Sequence, residues 1–167
     1  MFNKGDKIIY GQTGVCIVED ICEKTLIRNS TRRYYILKPI FQSNNIIYAP
    51  VDNEKVLMRY VITKDEAESL INKIPDIRDK IIEEALQNTD NANSNEKFDK
   101  YECSDLAAAA IKMQNKKQNA RRLKKKMGYT DEKNMKNVEE LLFGELAVAL
   151  ELNIEDVRKL FYSYLSE

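Results

Sequence analysis

The sequence predicts an α+β protein in which a small N-terminal β-barrel is followed by an all-α helical domain. Over the first 62 residues, short β-branched and aromatic segments alternate with turns rich in glycine, proline and asparagine. From Thr63 onward, apolar residues recur at helical spacing, and residues that cap helices precede several of these segments. We therefore expect two domains, at residues 1–62 and 63–167.

Five short strands are predicted in the first domain, each ended by a turn or a proline. Short strands joined by tight turns favour a barrel, because closure leaves no strand edge exposed. So few residues form a marginal core, and docking against a neighbour is expected. The strands cover residues 7–10, 15–21, 33–38, 46–49 and 56–61, with a turn at residues 11–14.

Two connecting helices are predicted at the start of the second domain, within residues 63–87. Thr63 and Glu66 match a capping box, in which each side chain accepts a hydrogen bond from the backbone of the other. The first helix runs to about Lys73, Pro75 ends it, and Asp76 caps the next helix over residues 77–87. Residues 88–95 are polar and low in complexity, which predicts a flexible loop.

The remaining helices are predicted at residues 96–102, 105–127, 131–151 and 154–165. Ser104, Thr130 and Asn153 are placed as N-caps of the last three. Gly128 suits the left-handed position that ends the 105–127 helix. Apolar residues of that helix form one stripe that should pack on its neighbours. This stripe consists of Leu106, Ala109, Met113, Ala120, Leu123 and Met127.

The composition narrows the class of protein. The chain has no histidine, its three cysteines form no CxxC pair, and it contains neither GxxxxGK[ST] nor GxGxxG. The usual general base and every Ser-His or Cys-His pair are therefore absent. We expect no enzyme, catalytic residue, metal site, cofactor or small-molecule substrate. No apolar run could span a bilayer and no signal peptide is visible, so we expect a cytoplasmic protein without a membrane partner.

A net charge of zero conceals a sharply bounded basic block. Residues 106–130 contain eight lysines and arginines and no acid, whereas residues 63–105 and 131–167 are net acidic. Such a block can be a solvated helix face. However, like charges four residues apart weaken a helix unless an anion compensates, which favours phosphate contacts. The predicted DNA-binding residues are Lys116, Lys117, Arg121, Arg122, Lys124, Lys125 and Lys126.

The aromatic residues of the predicted strands should mostly fill the barrel core. Tyr34 and Tyr35 are adjacent and therefore lie on opposite faces of one strand, so one of them is expected to be exposed. An exposed tyrosine beside Arg33 would provide an anchor for a protein partner.

Several blocks of sequence follow an order and spacing typical of one known family. They are FNKGDKIIY at residues 2–10, Gly14-Val15, Val18-Glu19, YYILK at 34–38, APVDN at 49–53 and LFGELA at 142–147. Together they resemble the CarD family of bacterial transcription regulators across nearly the whole chain. The N-terminal part is also similar to the polymerase-interacting module of transcription–repair coupling factors.

The resemblance implies a Tudor/SH3-like barrel that binds the β-subunit lobe of bacterial RNA polymerase. It also implies a helical domain that contacts promoter DNA at the upstream fork of the transcription bubble and stabilises the open complex. The family's polymerase contacts fall near Lys24, which keeps the basic charge, and near Tyr48, where arginine is common.

The sequence departs from the family pattern at one feature of the helical domain. Many members insert a tryptophan wedge into the minor groove. This chain has no tryptophan, and the corresponding stretch lies within residues 88–95. Phe98 and Tyr101 are the nearest substitutes, and packing is the favoured role of both, so the basic block is expected to supply the DNA contact instead.

The expected function is therefore a non-enzymatic transcription regulator with polymerase-binding residues Lys24, Arg33, Tyr34 and Tyr48. Its partners would be the polymerase β lobe and promoter DNA, the latter held mainly through its phosphate backbone. One alternative is an adaptor that binds polymerase without touching DNA. Another is an RNA-binding module, against which the scarcity of basic residues around the barrel aromatics argues.

Overall fold

The computed structural model describes residues 1–42, 44–87 and 102–167. Its chain divides into two compact units, Met1–Val61 and Ile62–Glu167, here called the sheet unit and the helical unit. The loop predicted at residues 88–95 lies outside the described residues, as do Phe98, Tyr101 and all but the last residue of the helix predicted at 96–102.

The sheet unit contains a five-stranded antiparallel sheet with the strand order β4-β3-β2-β1-β5. The strands are β1 (Lys7–Tyr10), β2 (Gly14–Ile27), β3 (Ser30–Pro39), β4 (Ile47–Pro50) and β5 (Met58–Tyr60), and a single turn of 3-10 helix joins β1 to β2. The β2–β3 hairpin is longer than predicted because backbone pairing continues through its polar tip. There Asn29 takes a left-handed conformation with φ 61°, which asparagine tolerates better than most residues.

One face of the sheet carries the apolar core of this unit. A register shift between Val18 and Asp20 in β2 brings Ile21, rather than Asp20, onto the core side opposite Tyr35. The Tyr35 hydroxyl accepts a hydrogen bond from the Phe2 N–H at 3.1 Å, which ties the N-terminus to the sheet. The buried core residues are Ile8, Cys16, Val18, Tyr35, Leu37 and Ala49.

The described part of the helical unit contains α1 (Lys64–Asn72), α2 (Ile74–Gln87), α3 (Cys103–Arg122), α4 (Tyr129–Leu150) and α5 (Ile154–Leu165). Two predicted caps are confirmed. Thr63 and Glu66 form the capping box of α1, and the Asn153 side chain accepts from the Asp156 N–H at 2.8 Å. None of these helices has the length and apolarity to cross a bilayer.

Three predicted helix boundaries are wrong. Pro75 does not separate α1 from α2, because α2 already begins at Ile74 and a proline in the first turn needs no N–H partner. Ser104 does not cap α3, since Glu102 precedes that helix and its N–H donates to Asp105 at 3.2 Å. Thr130 lies inside α4 rather than before it.

Because α4 begins at Tyr129, Gly128 has a different role from the predicted one. It does not terminate α3 in a left-handed conformation; its φ is −63° and it stands at the N-cap of α4. Its carbonyl accepts from the Glu132 N–H at 3.0 Å, as expected of an N-cap residue. Consequently α3 ends at Arg122, five residues before the predicted end at Met127.

The core of the helical unit contains two buried carboxylates. Glu145 is fully buried and accepts from the Ile62 N–H at 3.2 Å. Glu139 accepts from Arg158 Nη1 at 3.0 Å and from the Tyr162 hydroxyl. Both acids therefore have hydrogen-bond donors within the unit, as buried charges require.

Candidate functional site

Lys24 and Tyr48 meet on the face of the sheet that lies opposite the core. The Lys24 Nζ is 3.7 Å from the centre of the Tyr48 ring. A cation–π contact of this kind contributes about 0.5–1 kcal/mol at an exposed site and fixes the position of the ammonium group. The two polymerase-contact positions suggested by the resemblance are thus brought together in the structure.

Strand β3 lies between the two members of this pair. The register puts Lys24 of β2 opposite Arg32 and Tyr48 of β4 opposite Ile36. Tyr34 stands midway between Arg32 and Ile36 on the same face, because side chains alternate along a strand. The Lys24–Tyr48 pair therefore spans the position of Tyr34, which is 7% exposed.

The expectation of an exposed tyrosine anchor is wrong. Tyr35 is in the core and Tyr34 is buried on the other face, so neither ring is available as a projecting anchor. Arg33 is exposed, but it lies on the opposite face of β3 from Lys24 and Tyr48. The structure does not bring Arg33 together with the other candidate residues.

Arg32 and Asp52, which the sequence reasoning missed, share the face of Lys24 and Tyr48. The Arg32 Nη2 lies 3.1 Å from both carboxylate oxygens of Asp52. The hydrogen bond from Arg32 holds the pKa of Asp52 below its usual value. The alternation of side chains along β3 was the available signal, since it places Arg32 rather than Arg33 beside Tyr34.

The cations of the basic block extend over a helix end and the loop that follows it. Lys116, Lys117, Arg121 and Arg122 belong to the last turns of α3, whereas Lys124, Lys125 and Lys126 lie between α3 and α4. All except the partly buried Lys117 are exposed. Residues 121–129 are here called the basic corner. Because α3 ends within it, its five cations do not all belong to one helix face.

A Schellman motif forms this turn. The Lys124 N–H donates to the Arg121 carbonyl at 3.0 Å, and the Lys125 N–H donates to the Ala120 carbonyl at 2.8 Å. The motif needs a left-handed residue, and Lys124 occupies that position with φ 54°. Glycine is the usual residue there because a side chain costs energy in this conformation.

One salt bridge connects the two helices that flank the corner. The Lys116 Nζ lies 2.8 Å from Asp131 Oδ2 in the first turn of α4. This contact pairs the first acid that follows the block in the sequence with one of its cations. Lys116 therefore has a carboxylate partner within the chain.

Two large apolar side chains are exposed at the basic corner. Leu123, expected on the packing stripe of α3, is 69% exposed because the helix ends at Arg122 and the stripe ends with it. Tyr129, the first residue of α4, is 80% exposed. Within the described residues, no group of acidic or sulfur side chains could hold a metal ion.

Comparison with known proteins identifies the sheet unit. Residues 2–62 match the model of the CarD-like/TRCF RID domain. The sheet unit is therefore a CarD-like/TRCF RID domain, with the Tudor-like fold of that family. The resemblance drawn from the sequence is confirmed for this part of the chain. A search of curated proteins finds no match.

The RID domain defines the class of protein and one of its partners. A chain that carries it is a transcription-related protein that interacts with the β subunit of RNA polymerase. The expected partnership with polymerase is thus confirmed at this level. The individual contact residues and the role of the helical unit stay predictions.

Proposed function

We propose that this chain modulates transcription initiation by joining RNA polymerase to promoter DNA. The RID domain binds the polymerase β lobe through the face that carries Lys24 and Tyr48. The helical unit contacts the phosphate backbone of the promoter through the basic block and changes the stability of the open complex. The chain acts by binding in this proposal and catalyses no reaction.

The concentration of positive charge in a block that itself contains no acid carries the DNA part of this proposal. Residues 106–130 contain no acid, and the carboxylate of Asp131, just beyond the block, forms its salt bridge with Lys116. Exposed cations at this density attract a polyanion and release its counterions. Contacts of this kind do not read sequence, so the chain would take its position from polymerase.

The link to polymerase makes weak DNA contacts sufficient. A second binding event becomes intramolecular once the RID domain is bound, so its effective concentration rises well above that of free promoter. The basic block then needs only a modest affinity of its own. This arrangement fits a surface of lysines and arginines without a recognition helix.

The DNA contact is tested by replacing Arg121, Arg122, Lys124 and Lys125 with alanine in the full chain. We expect weaker binding to duplex DNA at low salt. The slope of log affinity against log salt should flatten by about 0.9 for each phosphate that the variant no longer neutralises. A matched control replaces Lys133 and Lys136, two exposed cations of α4 that lie among acids. Unchanged duplex binding by the fourfold variant would favour the adaptor that binds polymerase alone.

The polymerase contact is tested with Lys24→Ala and Tyr48→Ala in the full chain. Both should weaken binding to the isolated β lobe, because each removes half of the preformed cation–π pair. Lys55→Ala serves as the control, since Lys55 is an exposed cation in a loop of the same domain. Equal lobe affinities for all three variants would place the interface on another face of the RID domain.

A further inference from the structure

The last turns of α2 expose apolar and acidic side chains together. Every residue from 82 to 87 is exposed, and this stretch is here called the acidic end. Its two large apolar residues, Ile82 and Leu86, are 43% and 81% exposed. They lie four residues apart and therefore on one side of the helix. Its only charged residues are Glu83 and Glu84. The acidic end thus presents a short apolar strip beside two carboxylates.

The two glutamates of the acidic end lie where a helix favours cations. The last turn of a helix carries the negative end of its dipole. α2 has no basic residue in that turn. Within the described residues, neither Glu83 nor Glu84 forms a salt bridge. A cation supplied from outside α2 would therefore stabilise this end of the helix.

The basic corner has the complementary composition. Residues 121–129 contain five cations and no acid. None of these cations forms a salt bridge with another residue that the structure describes. The corner also exposes two large apolar side chains, since Leu123 is 69% and Tyr129 80% exposed. It therefore offers apolar contact and positive charge where the acidic end offers apolar contact and negative charge.

The two surfaces are available to different copies of the chain. Both belong to the helical unit, yet their large apolar side chains stay exposed, so neither surface covers the other within one chain. A net charge far from zero keeps copies of a protein apart. This chain has 27 basic and 27 acidic residues, so no net repulsion opposes the approach of a second copy.

We propose that the basic corner of one copy docks on the acidic end of a second copy. The apolar side chains meet at the centre of the contact, and the cations and carboxylates surround them. The contact is heterologous, because two different surfaces meet and each copy carries one of each. Only a few residues take part on each side, so the association is weak and depends on concentration. It requires neither DNA nor polymerase and goes beyond the function proposed above.

Sedimentation velocity of the full chain, without DNA or polymerase, tests the contact over a series of concentrations. At a salt concentration of about 0.1 M, wild type should sediment faster as its concentration rises. At about 1 M salt the screening length falls from about 10 Å to about 3 Å. The association constant should then fall by roughly tenfold, because the charged rim is screened.

Two charge-reversal variants identify the surfaces that meet. One combines Glu83→Lys with Glu84→Lys, and the other combines Arg121→Glu with Arg122→Glu. Each variant alone should remain monomeric at concentrations where wild type associates. An equimolar mixture of the two should associate again, because the first variant keeps the corner and the second keeps the acidic end. Contacts between two identical surfaces would not give this result.

Matched controls separate the contact from general effects of charge and folding. Combining Glu54→Lys with Glu68→Lys makes the same change in charge at two exposed acids outside α2 and should leave the association nearly unchanged. Leu86→Ala should weaken the association, whereas Leu152→Ala, at an exposed leucine after α4, should not. Thermal melting confirms that each variant is folded, since all of these side chains are exposed.

Three outcomes would overturn the proposal. The first is a wild-type chain that remains monomeric over the whole concentration series at low salt. The second is a mixture of the two charge-reversal variants that does not associate. The third is a loss of association in only one of these two variants, because the surface that still matters would then bind another part of the second copy.

Discussion

Replacing Lys124 with glycine should stabilise the protein, although it removes a surface side chain. In its left-handed conformation with φ 54°, the lysine costs about 1–2 kcal/mol relative to glycine. Glycine in turn gives the unfolded chain more freedom, which offsets about 0.5–1 kcal/mol. The free energy of unfolding should therefore rise by about 1 kcal/mol, equivalent to about 2–4 °C in melting temperature for a chain of this size.

Urea denaturation followed by far-UV circular dichroism measures this change, because the signal reports mainly the helices. Lys124→Ala is the matched control: it removes the same charge but keeps the strain, so it should give little stabilisation. Lys125→Gly places glycine at the neighbouring position, which lacks the positive φ, and should not stabilise the protein. Equal stability of Lys124→Gly and Lys124→Ala would refute the assignment of strain to this residue.

The buried polar groups lead to three further predictions. Glu145→Ala should lower the free energy of unfolding of the helical unit by about 1–3 kcal/mol in urea melts, because a backbone donor loses its acceptor. Glu145→Gln keeps a carbonyl oxygen and should lower it by less. Burial and the hydrogen bond to Glu139 raise the pKa of Tyr162 above the unfolded value of 10.0. The free energy of unfolding should therefore fall as pH rises above 10.0, and that of Tyr162→Phe should fall less steeply in the same melts. Burial raises the pKa of Cys16 to about 11, so alkylation followed by mass spectrometry should label it far more slowly than the partly exposed Cys22 in the folded protein.

Each of these three predictions has a result that contradicts it. Equal destabilisation by Glu145→Ala and Glu145→Gln would mean that the carboxylate charge of Glu145, and not its hydrogen bond to the backbone, stabilises the helical unit. Parallel pH profiles for wild type and Tyr162→Phe would show that the tyrosine proton is not linked to folding. Equal alkylation rates for Cys16 and Cys22 under native conditions would show that the sheet opens readily around the core.

The sequence predicts most elements of the fold because local signals and packing agree there. β1 has the predicted bounds, and the Thr63 and Asn153 caps are where capping chemistry places them. The end of α3 is different. Gly128 is the residue type that usually ends a helix in a left-handed conformation. The left-handed residue is Lys124 instead, and a lysine does not predict this conformation. The backbone hydrogen bonds of the turn outweigh the propensity of that lysine.

The sequence predicts the candidate surfaces only in part, because some of their contacts depend on how separate strands pair. Charge counting finds the basic block directly, since it depends on composition alone. Family resemblance finds Lys24 and Tyr48 separately. Their contact across β3 depends on the register of three strands, which one-residue shifts would abolish. The burial of Tyr34 has no signature in the linear sequence, whereas the alternation of side chains along β3 indicates that Arg32 shares its face.

The salt bridge between Lys116 and Asp131 gives the basic block an internal counterion. In the proposed DNA contact, Lys116 would exchange the Asp131 carboxylate for a phosphate, so binding would release a carboxylate as well as dissolved ions. A salt titration of that contact would consequently count fewer cations than the sequence contains. Asp131 would thereby adjust the affinity of the proposed contact without touching DNA, and we expect Asp131→Asn to raise both that affinity for DNA and its sensitivity to salt.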